Sequence, residues 1–473
     1  LTIYTPKPEQ QAVIDRVLTE PTKAALLGHG LGAGKSLMAV EISKAFNADV
    51  VLVIAPLNTV DGWESTFTRQ EFPHPFRNIK NSVAGKKAYA DLEAGVPGAY
   101  FIGTQAFGLS ATAKDADPET GKGGRTKWTN WVKVSKHLDV AILDESHKFS
   151  SRKSLSFKVL KSLTPKVKLA MSGTPAGNRF EGLWSPCRWL WPNTLDAAGN
   201  KVVDSSFWRW AAENCVLEFN PHAAGGQKVA EEKVPGRFVA SLPCYLEYAA
   251  PRKPVDTYRV DIPLSPAQQA LWDTMSASSI MWMKEHPYVA ELPIVQKTRL
   301  RQIALGEVSF NEDGEIDFAD DCASSKIDSC LKIIDREPGN SIIFYTDSAR
   351  FAKVLAKRIG AELWSGQVSP TARDAIKVKF MAGEVKYLVA TIASFGTGVD
   401  GAQKVCHTEV WLNKSFNRVD NSQCEGRTNR QGQEADRITR YELVSTLDDA
   451  KTIEKLEADA LAMRASLTKG DTA

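Results

Sequence analysis

The chain has 473 residues, 43% of them hydrophobic and 24% charged; this balance is typical of a folded globular protein and excludes a disordered or fibrous one, and the length suggests two domains. Its net charge of +3 does not by itself indicate nucleic-acid binding, so any phosphate-binding surface must come from local groups of Lys and Arg. The seven cysteines are scattered without a C-x-x-C pair, so we expect neither a zinc site nor disulfides. No apolar run is long enough to span a bilayer, so we expect no membrane contact. Together these features predict a cytoplasmic protein.

The first half of the chain has the pattern of a parallel sheet. From residue 24 an apolar run, a glycine-rich turn and an amphipathic segment predict a strand, a loop and a helix. Further apolar runs of strand length end in small or polar residues, namely VVLVIAP (50–56), AYFIGT (99–104), VAILDES (140–146) and KLAMSGT (168–174). Continuous apolar strands are typical of a parallel sheet covered on both faces, and ligands bind such sheets at the carboxyl ends of the strands.

A second series of predicted strands follows residue 340 and indicates a second domain of the same type. Its strands are NSIIFYTDS (340–348), AELWSG (361–366), KYLVATIASFGTG (386–398), HTEVWLN (407–413) and RITRYELVS (437–445). The other predicted features are Trp-rich segments after residue 185, a helix over 265–286, a hairpin around Asp313–Gly314 and a surface loop over 113–128. The fold class is therefore α/β, with two tandem parallel-sheet domains. The first domain covers 1–245 and includes a Trp-rich helical extension, and the second covers 336–473. A short helical insertion at 246–335 separates them.

The G-L-G-A-G-K-S segment lies between a predicted strand and a predicted helix, which is the setting of a phosphate-binding loop. Gly32 and Gly34 let backbone amides close around phosphates, Lys35 offers a positive charge to the β and γ groups of ATP, and Ser36 reaches the magnesium ion. His29 stands where the strict pattern has glycine, and helicase-type loops keep only the G-x-G-K-[ST] core. The alternative is a glycine-rich helix cap with an accidental lysine, which the flanking strand and helix disfavour.

The apolar strand that ends in LDESH places two carboxylates at a strand tip. Asp144 is expected to hold magnesium, mainly through water, and Glu145 to orient and deprotonate the attacking water. His147 is expected to link the nucleotide to the SGT segment of the next strand, where Ser172 and Thr174 can hydrogen-bond the DESH residues. Considered without the other motifs, Asp144 and Glu145 could equally be two solvated acids at the start of a helix. The presence of a phosphate loop in the same chain favours the catalytic interpretation.

Two arginines in QCEGRTNRQGQ are candidates for stabilising the transferred phosphate. Arg427 and Arg430 are three residues apart, so both can lie on one helical face and point at a shared target. A guanidinium is planar and always charged, and arginine fingers raise hydrolysis rates roughly 10³- to 10⁵-fold. Two solvated arginines on a polar helix are the alternative.

In order and spacing, these motifs resemble those of the SWI/SNF-type branch of the superfamily 2 helicases, over nearly the whole chain. The most specific is Q-x-x-x-R-x-x-R-x-G-Q at 423–433, because its Gly-Gln ending distinguishes this branch from unwinding relatives. The DESH sequence of the second motif is similar to that of the annealing-helicase subgroup. The short length of the insertions is similar to that of compact bacterial and phage members. Other segments with a counterpart in the family are KPEQQ (7–11), IAPLNTVDGWESTF (54–67, with Trp63), IGTQAF (102–107), SGTPAGNRFEGLW (172–184), SPAQQALW (265–272), SIIFYTDS (341–348) and ATIASFGTGVDG (390–401).

The resemblance implies two RecA-like domains that divide one ATP site between them. Three groups of residues follow from it: Gln10, Gly398 and Asp400 near the nucleotide, Gln423 in coupling, and Thr59, Thr104 and Thr391 as candidates for contact with DNA phosphates. Two segments depart from the family pattern, since Phe416-Asn417-Arg418 replaces the usual Trp-Asn-Pro and Phe395-Gly396 replaces two glycines.

The resemblance and the residues together predict an ATP-driven motor that moves along double-stranded or branched DNA, with ATP and magnesium as cofactors, in a bacterial or phage-infected cell. The alternatives are a strand-separating or strand-annealing helicase and, in another class, a DNA-binding adaptor that ATP switches. No motif identifies a protein partner. The basic residues that can add positive charge for DNA, or be simply solvated, are Lys86, Lys87, Arg152 and Lys153.

Overall fold

The structure is a computed structural model that describes residues 3–30, 32–109, 131–196, 198–221, 225–248, 251–278, 280–283, 286–289, 293–310, 315–399 and 401–468. The chain divides into two compact units, Leu1–Ala250 with Leu461–Ala473, and Pro251–Ala460. Within the described residues, no helix combines the length and the apolar character needed to cross a membrane.

The first unit contains a seven-stranded sheet in which all neighbouring strands are parallel. The strands of this unit are β1 (Ala24–Leu27), β2 (Val50–Ala55), β3 (Phe76–Ile79), β4 (Gly98–Gly103), β5 (Val140–Asp144), β6 (Val167–Met171), β7 (Cys215–Phe219), β8 (Gln227–Glu232) and β9 (Tyr245–Leu246). The sheet order is β3-β4-β2-β5-β6-β1-β9, and β7 pairs with β8 as a separate antiparallel hairpin. The predicted strands of the first half are confirmed as β1, β2, β4, β5 and β6.

Ten helices accompany the strands among the described residues of this unit. They are α1 (Pro8–Thr19), α2 (Lys35–Ala45), α3 (Val60–Arg69), α4 (Val83–Glu93), α5 (Thr104–Leu109), α6 (Trp131–Ser135), α7 (Leu155–Leu160), α8 (Trp184–Leu190), α9 (Phe207–Asn214) and α10 (Arg237–Ser241). Ser82, Ser154 and Ser206 cap α4, α7 and α9 by accepting a backbone N–H three residues later. Serine at these starts therefore fixes where the helices begin.

Burial explains which strands of the first sheet the sequence predicts. Every residue of β1, β2 and β4 is buried, as expected for strands that helices cover on both faces. In contrast, β3 is half-exposed at three of its four positions and lies at the sheet edge, and β9 has only two residues. Neither gives an apolar run, so neither was predicted.

The second unit contains a six-stranded parallel sheet of order β10-β19-β18-β15-β17-β16. Its elements in chain order are β10 (Val255–Asp261), α11 (Pro266–Ser278), β11 (Ile280–Met283), β12 (His286–Val289), α12 (Pro293–Leu305), β13 (Ser309–Phe310), β14 (Ile316–Asp317), α13 (Ser325–Arg336), β15 (Ile342–Thr346), α14 (Ala349–Ile359), β16 (Glu362–Trp364), α15 (Pro370–Met381), β17 (Tyr387–Thr391), α16 (Ile392–Gly398), β18 (Thr408–Trp411), α17 (Arg418–Thr428), β19 (Ile438–Val444) and α18 (Leu447–Leu467). The five strands predicted after residue 340 are confirmed as β15 to β19, but the third, predicted over 386–398, ends at Thr391, and the residues after it form α16.

Two local expectations for the middle of the chain need correction. The helix predicted over 265–286 ends at Ser278, and the apolar residues after it form β11, which pairs antiparallel with β12. A run of small residues with low helix propensity ends the helix, and the next segment is rich in strand-forming side chains. The segment 246–335 is also not only helical, because its residues 255–261 form β10 in the second sheet.

The predicted hairpin is present, since β13 pairs antiparallel with β14. Its turn, Asp313–Gly314, and the predicted surface loop over 113–128 lie outside the described residues.

Candidate functional site

The phosphate loop follows β1 and leads into α2. Gly28 and Gly30 donate their backbone N–H groups to the carbonyls of Leu246 (2.8 Å) and Tyr248 (2.9 Å). The segment formed by β9 and the residues just after it therefore holds the start of the loop. Two glycines of the loop, Gly32 (φ +79°) and Gly34 (φ +80°), adopt the left-handed backbone conformation that glycine tolerates best.

Lys35 is the first residue of α2, directly after the loop. Its Nζ donates hydrogen bonds to the carbonyls of His29 (2.8 Å) and Gly30 (3.1 Å), so the ammonium group lies against the loop. Ser36 follows at the amino terminus of the same helix, where free backbone N–H groups and the helix dipole favour an anion. The residues predicted to bind phosphate and magnesium are therefore adjacent at one strand end.

Gln10 on α1 contacts the same loop. Its Nε2 donates to the carbonyl of Ala33 (2.9 Å), and its Oε1 accepts from the backbone N–H of Lys7 (2.9 Å). A Cβ atom on Gly34 would collide with Gln10 Nε2, so only glycine allows this contact. The glutamine predicted from KPEQQ thus lies directly on the phosphate loop.

His29, which departs from the strict loop pattern, is fully buried beneath it. Burial, and then the nearby charge of Lys35, lower the pKa of His29 to about 4. The ring centroid lies 6.1 Å from that of Tyr248, whose hydroxyl donates to Glu9 Oε1 (3.2 Å). The imidazole is therefore neutral at physiological pH and adds no charge to the loop.

Asp144 and Glu145 occupy the end of β5. Asp144 Oδ2 accepts a hydrogen bond from the indole Nε1 of Trp63 (3.2 Å), and Asp144 Oδ1 accepts from the backbone N–H of Glu145 (2.9 Å). Glu145 has a left-handed backbone (φ +49°), which is uncommon for a residue other than glycine. Strain of this kind concentrates at functional sites.

The two carboxyl groups have opposite pKa shifts. Burial and the adjacent charge of Glu145 raise the pKa of Asp144 to about 6. Burial also acts to raise the pKa of Glu145, but a hydrogen bond and the charge of His147, together with Lys35, outweigh it and lower the pKa to about 2. Glu145 is therefore an ionised carboxylate at neutral pH, as a proton acceptor must be.

A cluster of hydrogen bonds joins the DESH and SGT segments. His147 Nδ1 lies 2.9 Å from Ser172 Oγ and 3.3 Å from Glu145 Oε2. Ser172 Oγ in turn donates to Glu145 Oε2 (3.4 Å) and accepts from the backbone N–H of Thr174 (3.0 Å). The structure thus brings together Glu145, His147, Ser172 and Thr174, here called the coupling cluster.

In the second unit, Arg427 on α17 holds the segment that follows β17. Its Nε donates to the carbonyl of Gly396 (3.0 Å) and its Nη1 to that of Val399 (2.8 Å). Gln423, one turn earlier, is buried, and a Cβ atom on Gly396 would lie 2.9 Å from Gln423 Cβ. Gly396 therefore permits the close approach of α16 and α17.

The expectation that Arg427 and Arg430 share one helical face is wrong, because α17 ends at Thr428. Gln433 Nε2 donates to the last carbonyl of the helix, that of Thr428 (2.8 Å), and Gly432 has φ +89°. The Asn429 side chain exchanges two hydrogen bonds with the backbone of Lys253 (2.9 and 2.8 Å). Arg430 thus follows the helix, on a turn that these bonds fix.

Comparison with known proteins agrees with these motifs. A family model for the res subunit of type III restriction enzymes matches residues 3–177, and one for the helicase conserved C-terminal domain matches residues 325–432. A Mycoplasma genitalium protein described as an ATP-dependent helicase is 26% identical over 315 residues, which are 64% of this chain and 28% of that protein. The Transcriptional regulator ATRX homolog of Drosophila melanogaster is 24% identical over 37% of this chain and 14% of its own length.

The two family models lie one in each unit, in the order that the motifs predict for a superfamily 2 helicase-like protein. Two parallel sheets, one in each unit, agree with the two tandem RecA-like domains that the sequence predicts. A Bacillus subtilis protein described as an ATP-dependent helicase is also similar, with 24% identity over 41% of this chain and 30% of that protein. The chain thus spans less than a third of the length of each of these relatives. A solved SWI2/SNF2 ATPase core of Sulfolobus solfataricus in complex with dsDNA aligns with 98% of this chain and 94% of its own, at 17% identity and a TM-score of 0.38.

The chain has oxygen ligands of the kind magnesium prefers near its phosphate loop. Ser36 offers a hydroxyl and Asp144 a half-buried carboxylate, and both carboxylates of the DESH segment lie within reach of the charge of Lys35. Among the described residues no group of three or more His, Cys, Asp or Glu side chains could hold a metal by itself. A magnesium ion here would complete its shell with water and phosphate oxygens, which suits its usual coordination.

The threonines predicted to contact DNA are mostly turned inward. The Thr59 hydroxyl donates to the carbonyl of Pro56 (2.7 Å). The Thr104 Oγ1 is buried and, among the described residues, has no hydrogen-bond partner, while Thr391 is buried with its hydroxyl 2.6 Å from that of Ser394. Contact with DNA would require the Thr104 and Thr391 side chains to become exposed. The role of all three threonines in DNA binding stays a prediction. Gly398 is the last residue of α16, and Asp400 lies outside the described residues.

Two features that position candidate functional residues were not predicted from the sequence. One is the bond from Trp63 to Asp144, which only the fold reveals because 81 residues separate the partners. The other is a buried ion network beneath α17, here called the α17 network, made of Glu409, Lys414, Glu425, Arg440 and Glu442. Charged residues inside the apolar strands β18 and β19 were the available signal, since isolated charges there require partners.

The α17 network joins β18 and β19 to the helix that carries Arg427. Arg440 lies 2.9 Å from Glu409 Oε2 and 3.2 Å from Glu425 Oε1, and Lys414 Nζ lies 3.2 Å from Glu425 Oε1. Glu409 is fully buried and also accepts from Trp411 Nε1 (3.0 Å) and from the Thr428 hydroxyl. Burial lowers the pKa of Arg440, but Glu409 and Glu425 outweigh it and raise the pKa.

Proposed function

We propose that this chain hydrolyses ATP and is the motor core of a translocase on double-stranded DNA. The observation that carries the proposal is the coupling cluster, in which His147 and Ser172 orient an ionised Glu145 beside the phosphate loop. Such a group is what ATP hydrolysis requires of a protein, because phosphoryl transfer depends on positioning and electrostatics more than on covalent chemistry.

In the proposed reaction, the phosphate loop binds ATP through backbone N–H groups and Lys35. Glu145 accepts a proton from a water molecule as the water oxygen bonds to the γ-phosphorus, and the bond to the β-phosphate oxygen breaks to give ADP and phosphate. Lys35 exchanges its bonds to the His29 and Gly30 carbonyls for phosphate oxygens. Ser36 and Asp144 would hold magnesium, which when bound neutralises charge on the β- and γ-phosphates.

Arg427 and Arg430 supply positive charge to the γ-phosphate in this proposal. Arg427 would exchange its bonds to the Gly396 and Val399 carbonyls for phosphate oxygens, which links the state of the nucleotide to the segment after β17. Gln423, packed against Gly396, lies on the same path. Gln10, which contacts the loop at Ala33, is proposed to sense the nucleotide from the other side of the loop.

Two alternatives are tested together with the motor. Two relatives are described as ATP-dependent helicases, which favours strand separation or annealing, whereas the Gly432–Gln433 ending resembles the translocating branch. A DNA-binding adaptor that ATP merely switches would not need the ionised Glu145 or the two arginines.

The test is the steady-state ATPase rate with no nucleic acid, single-stranded DNA, duplex DNA, forked DNA and RNA. We expect duplex to stimulate hydrolysis most, with weak sequence preference and strong dependence on salt, because backbone phosphates dominate such contacts. Stimulation only by single strands or forks would favour the helicase, and an equal rate in every condition would favour the adaptor. Absence of stimulation by duplex would refute the motor.

Glu145→Gln separates binding from hydrolysis. The amide keeps the shape of the side chain but cannot accept the proton from water, so we expect turnover to be lost while ATP binding is kept. Filter binding of labelled ATP measures the first property and phosphate release the second. Glu64→Gln, a change at another glutamate of the first unit, is the matched control and is expected to hydrolyse ATP normally.

A further inference from the structure

An open cavity of about 440 Å³ lies in the first unit beside the coupling cluster. One wall is Ser150 to Lys153, which begins three residues after the end of the DESH segment. The other wall begins two residues after the end of the SGT segment and consists of Ala176, Asn178, Arg179, Glu181 and Gly182. Trp184 and Phe207 close the base. The walls are joined where Ser185 Oγ donates to the carbonyl of Ser150 (3.0 Å). We call it the Arg152 cavity.

The Arg152 cavity has an excess of positive charge. Arg152, Lys153 and Arg179 line it, against the single carboxylate of Glu181. The Arg179 side chain is 74% exposed and lies 3.6 Å from Glu181 Oε1, and Lys153 is also exposed. Three cations against one anion leave this small surface clearly positive, although the whole chain is nearly neutral.

Arg152 contacts two aromatic rings at the cavity. Its guanidinium carbon lies 4.0 Å from the ring centroid of Phe207 and 5.1 Å from that of Trp208, and the side chain is half-buried. These cation–π contacts hold the guanidinium at the cavity, and its N–H groups are the donors that an anion requires. A planar group of this kind suits the paired oxygens of a phosphate.

The other lining groups are those that bind nucleic-acid backbones. Ser151 and Asn178 add a hydroxyl and an amide to the three cations, and Arg, Lys, Ser and Asn side chains make most protein contacts to phosphates. The cavity is much larger than a single phosphate ion and open to solvent, so it can hold consecutive phosphates of a chain.

We propose that the Arg152 cavity binds backbone phosphates of a DNA strand. The proposal rests on the proposed function, because that function brings DNA to this unit. Both walls are close in sequence to the coupling cluster, since Ser150 is three residues after His147 and Ala176 is two residues after Thr174. A strand bound here therefore contacts the continuation of the two segments that hold Glu145.

The test uses the full chain with the double variant Lys153→Gln and Arg179→Gln. Both side chains are exposed, so the substitutions remove charge with little effect on packing. The matched control is Lys133→Gln with Lys136→Gln, which removes two exposed charges elsewhere in the first unit. Thermal melting of all three proteins checks that they are folded.

Fluorescence anisotropy with a labelled blunt duplex, titrated at several salt concentrations, measures binding. Each lost phosphate contact lowers the slope of log K against log salt by about 0.9, so the double variant should lose about two units of slope while the control keeps the wild-type value. We expect its affinity to fall roughly tenfold at low salt. The duplex concentration for half-maximal ATPase stimulation should rise in parallel.

The outcomes separate this proposal from the proposed function. If duplex stimulates the wild type and the double variant behaves like the control, the cavity proposal is overturned and the motor stands. If the wild type binds duplex without stimulation, the motor fails, and the salt slope still decides the cavity. A polyglutamate peptide that binds the wild type but not the double variant, with duplex binding unchanged, would show a site for acidic peptides and overturn the proposal.

Discussion

The residues proposed to hydrolyse ATP are anchored differently in the two units. In the first, side chains hold the two carboxylates: Trp63 donates to Asp144, and His147 and Ser172 hold Glu145. Lys35 of the same unit donates to main-chain carbonyls of the loop. In the second, main-chain carbonyls hold the Arg427 guanidinium, and the α17 network holds the helix below it.

This difference indicates which group has to move. The carboxylates of the first unit are already oriented for their proposed roles, and little rearrangement is required of them. Arg427 must leave the carbonyls of Gly396 and Val399 before it can contact a phosphate. Lys35 makes the same kind of exchange in the first unit, so the proposed reaction would move the two cations more than the two carboxylates.

The largest effect is expected for Arg427→Ala. If Arg427 stabilises the transferred phosphate, hydrolysis should fall about 10³- to 10⁵-fold, with ATP binding nearly kept. Phosphate release under saturating ATP measures the loss. Arg437→Ala, which removes an exposed arginine paired with Asp256, is the control and should leave the rate unchanged. A rate within a few-fold of the wild type would mean that Arg427 only holds its own segment.

The next effect concerns stability, through the α17 network. Glu409→Gln removes a fully buried charge that faces Arg440 and accepts from Trp411 and Thr428, so Arg440 loses its nearest counterion. Breaking a buried ion pair on one side costs about 3–5 kcal/mol of unfolding free energy. Urea unfolding followed by circular dichroism measures it. Asp256→Asn, at an exposed pair in the same unit, should change stability little, and an equally small effect of Glu409→Gln would show that the network is not needed for the fold.

A pH-dependent effect is expected from His29. Its pKa is about 4 when folded, below the ordinary value of 6.5, so the unfolded chain binds more protons between these pH values. Stability is therefore lost as the pH falls from 6.5 to 4, by about 3 kcal/mol at the lower end. His29→Asn should remove that part of the pH dependence in urea unfolding, whereas His137→Asn, at an exposed histidine, should not. Identical pH profiles for wild type and His29→Asn would contradict the assignment.

The contrast between the units also explains what the sequence could predict. Apolar strands with polar ends were visible, and so were Lys35, Glu145 and Ser172, because strand ends of a parallel sheet meet at one edge. The end of α17 before Arg430 was not visible, since it depends on Gln433 and Asn429 bonding to groups distant in the chain. Spacing alone favoured a continuous helix there.

The smallest effect is expected for Trp63→Phe, which tests how much anchoring the first unit needs. Phenylalanine keeps the ring in its buried position but removes the indole N–H that donates to Asp144 Oδ2. A hydrogen bond to a charged group contributes about 1.5–3 kcal/mol, and Asp144 keeps its bond to the Glu145 backbone, so we expect hydrolysis to fall about tenfold. Trp189→Phe is the matched control, because it removes a buried indole that donates to the Leu163 carbonyl in the same unit, and its rate should be normal. Equal rates for Trp63→Phe and the wild type would show that Asp144 is held by its own strand end, and the contrast between the units would then be smaller than the hydrogen bonds suggest.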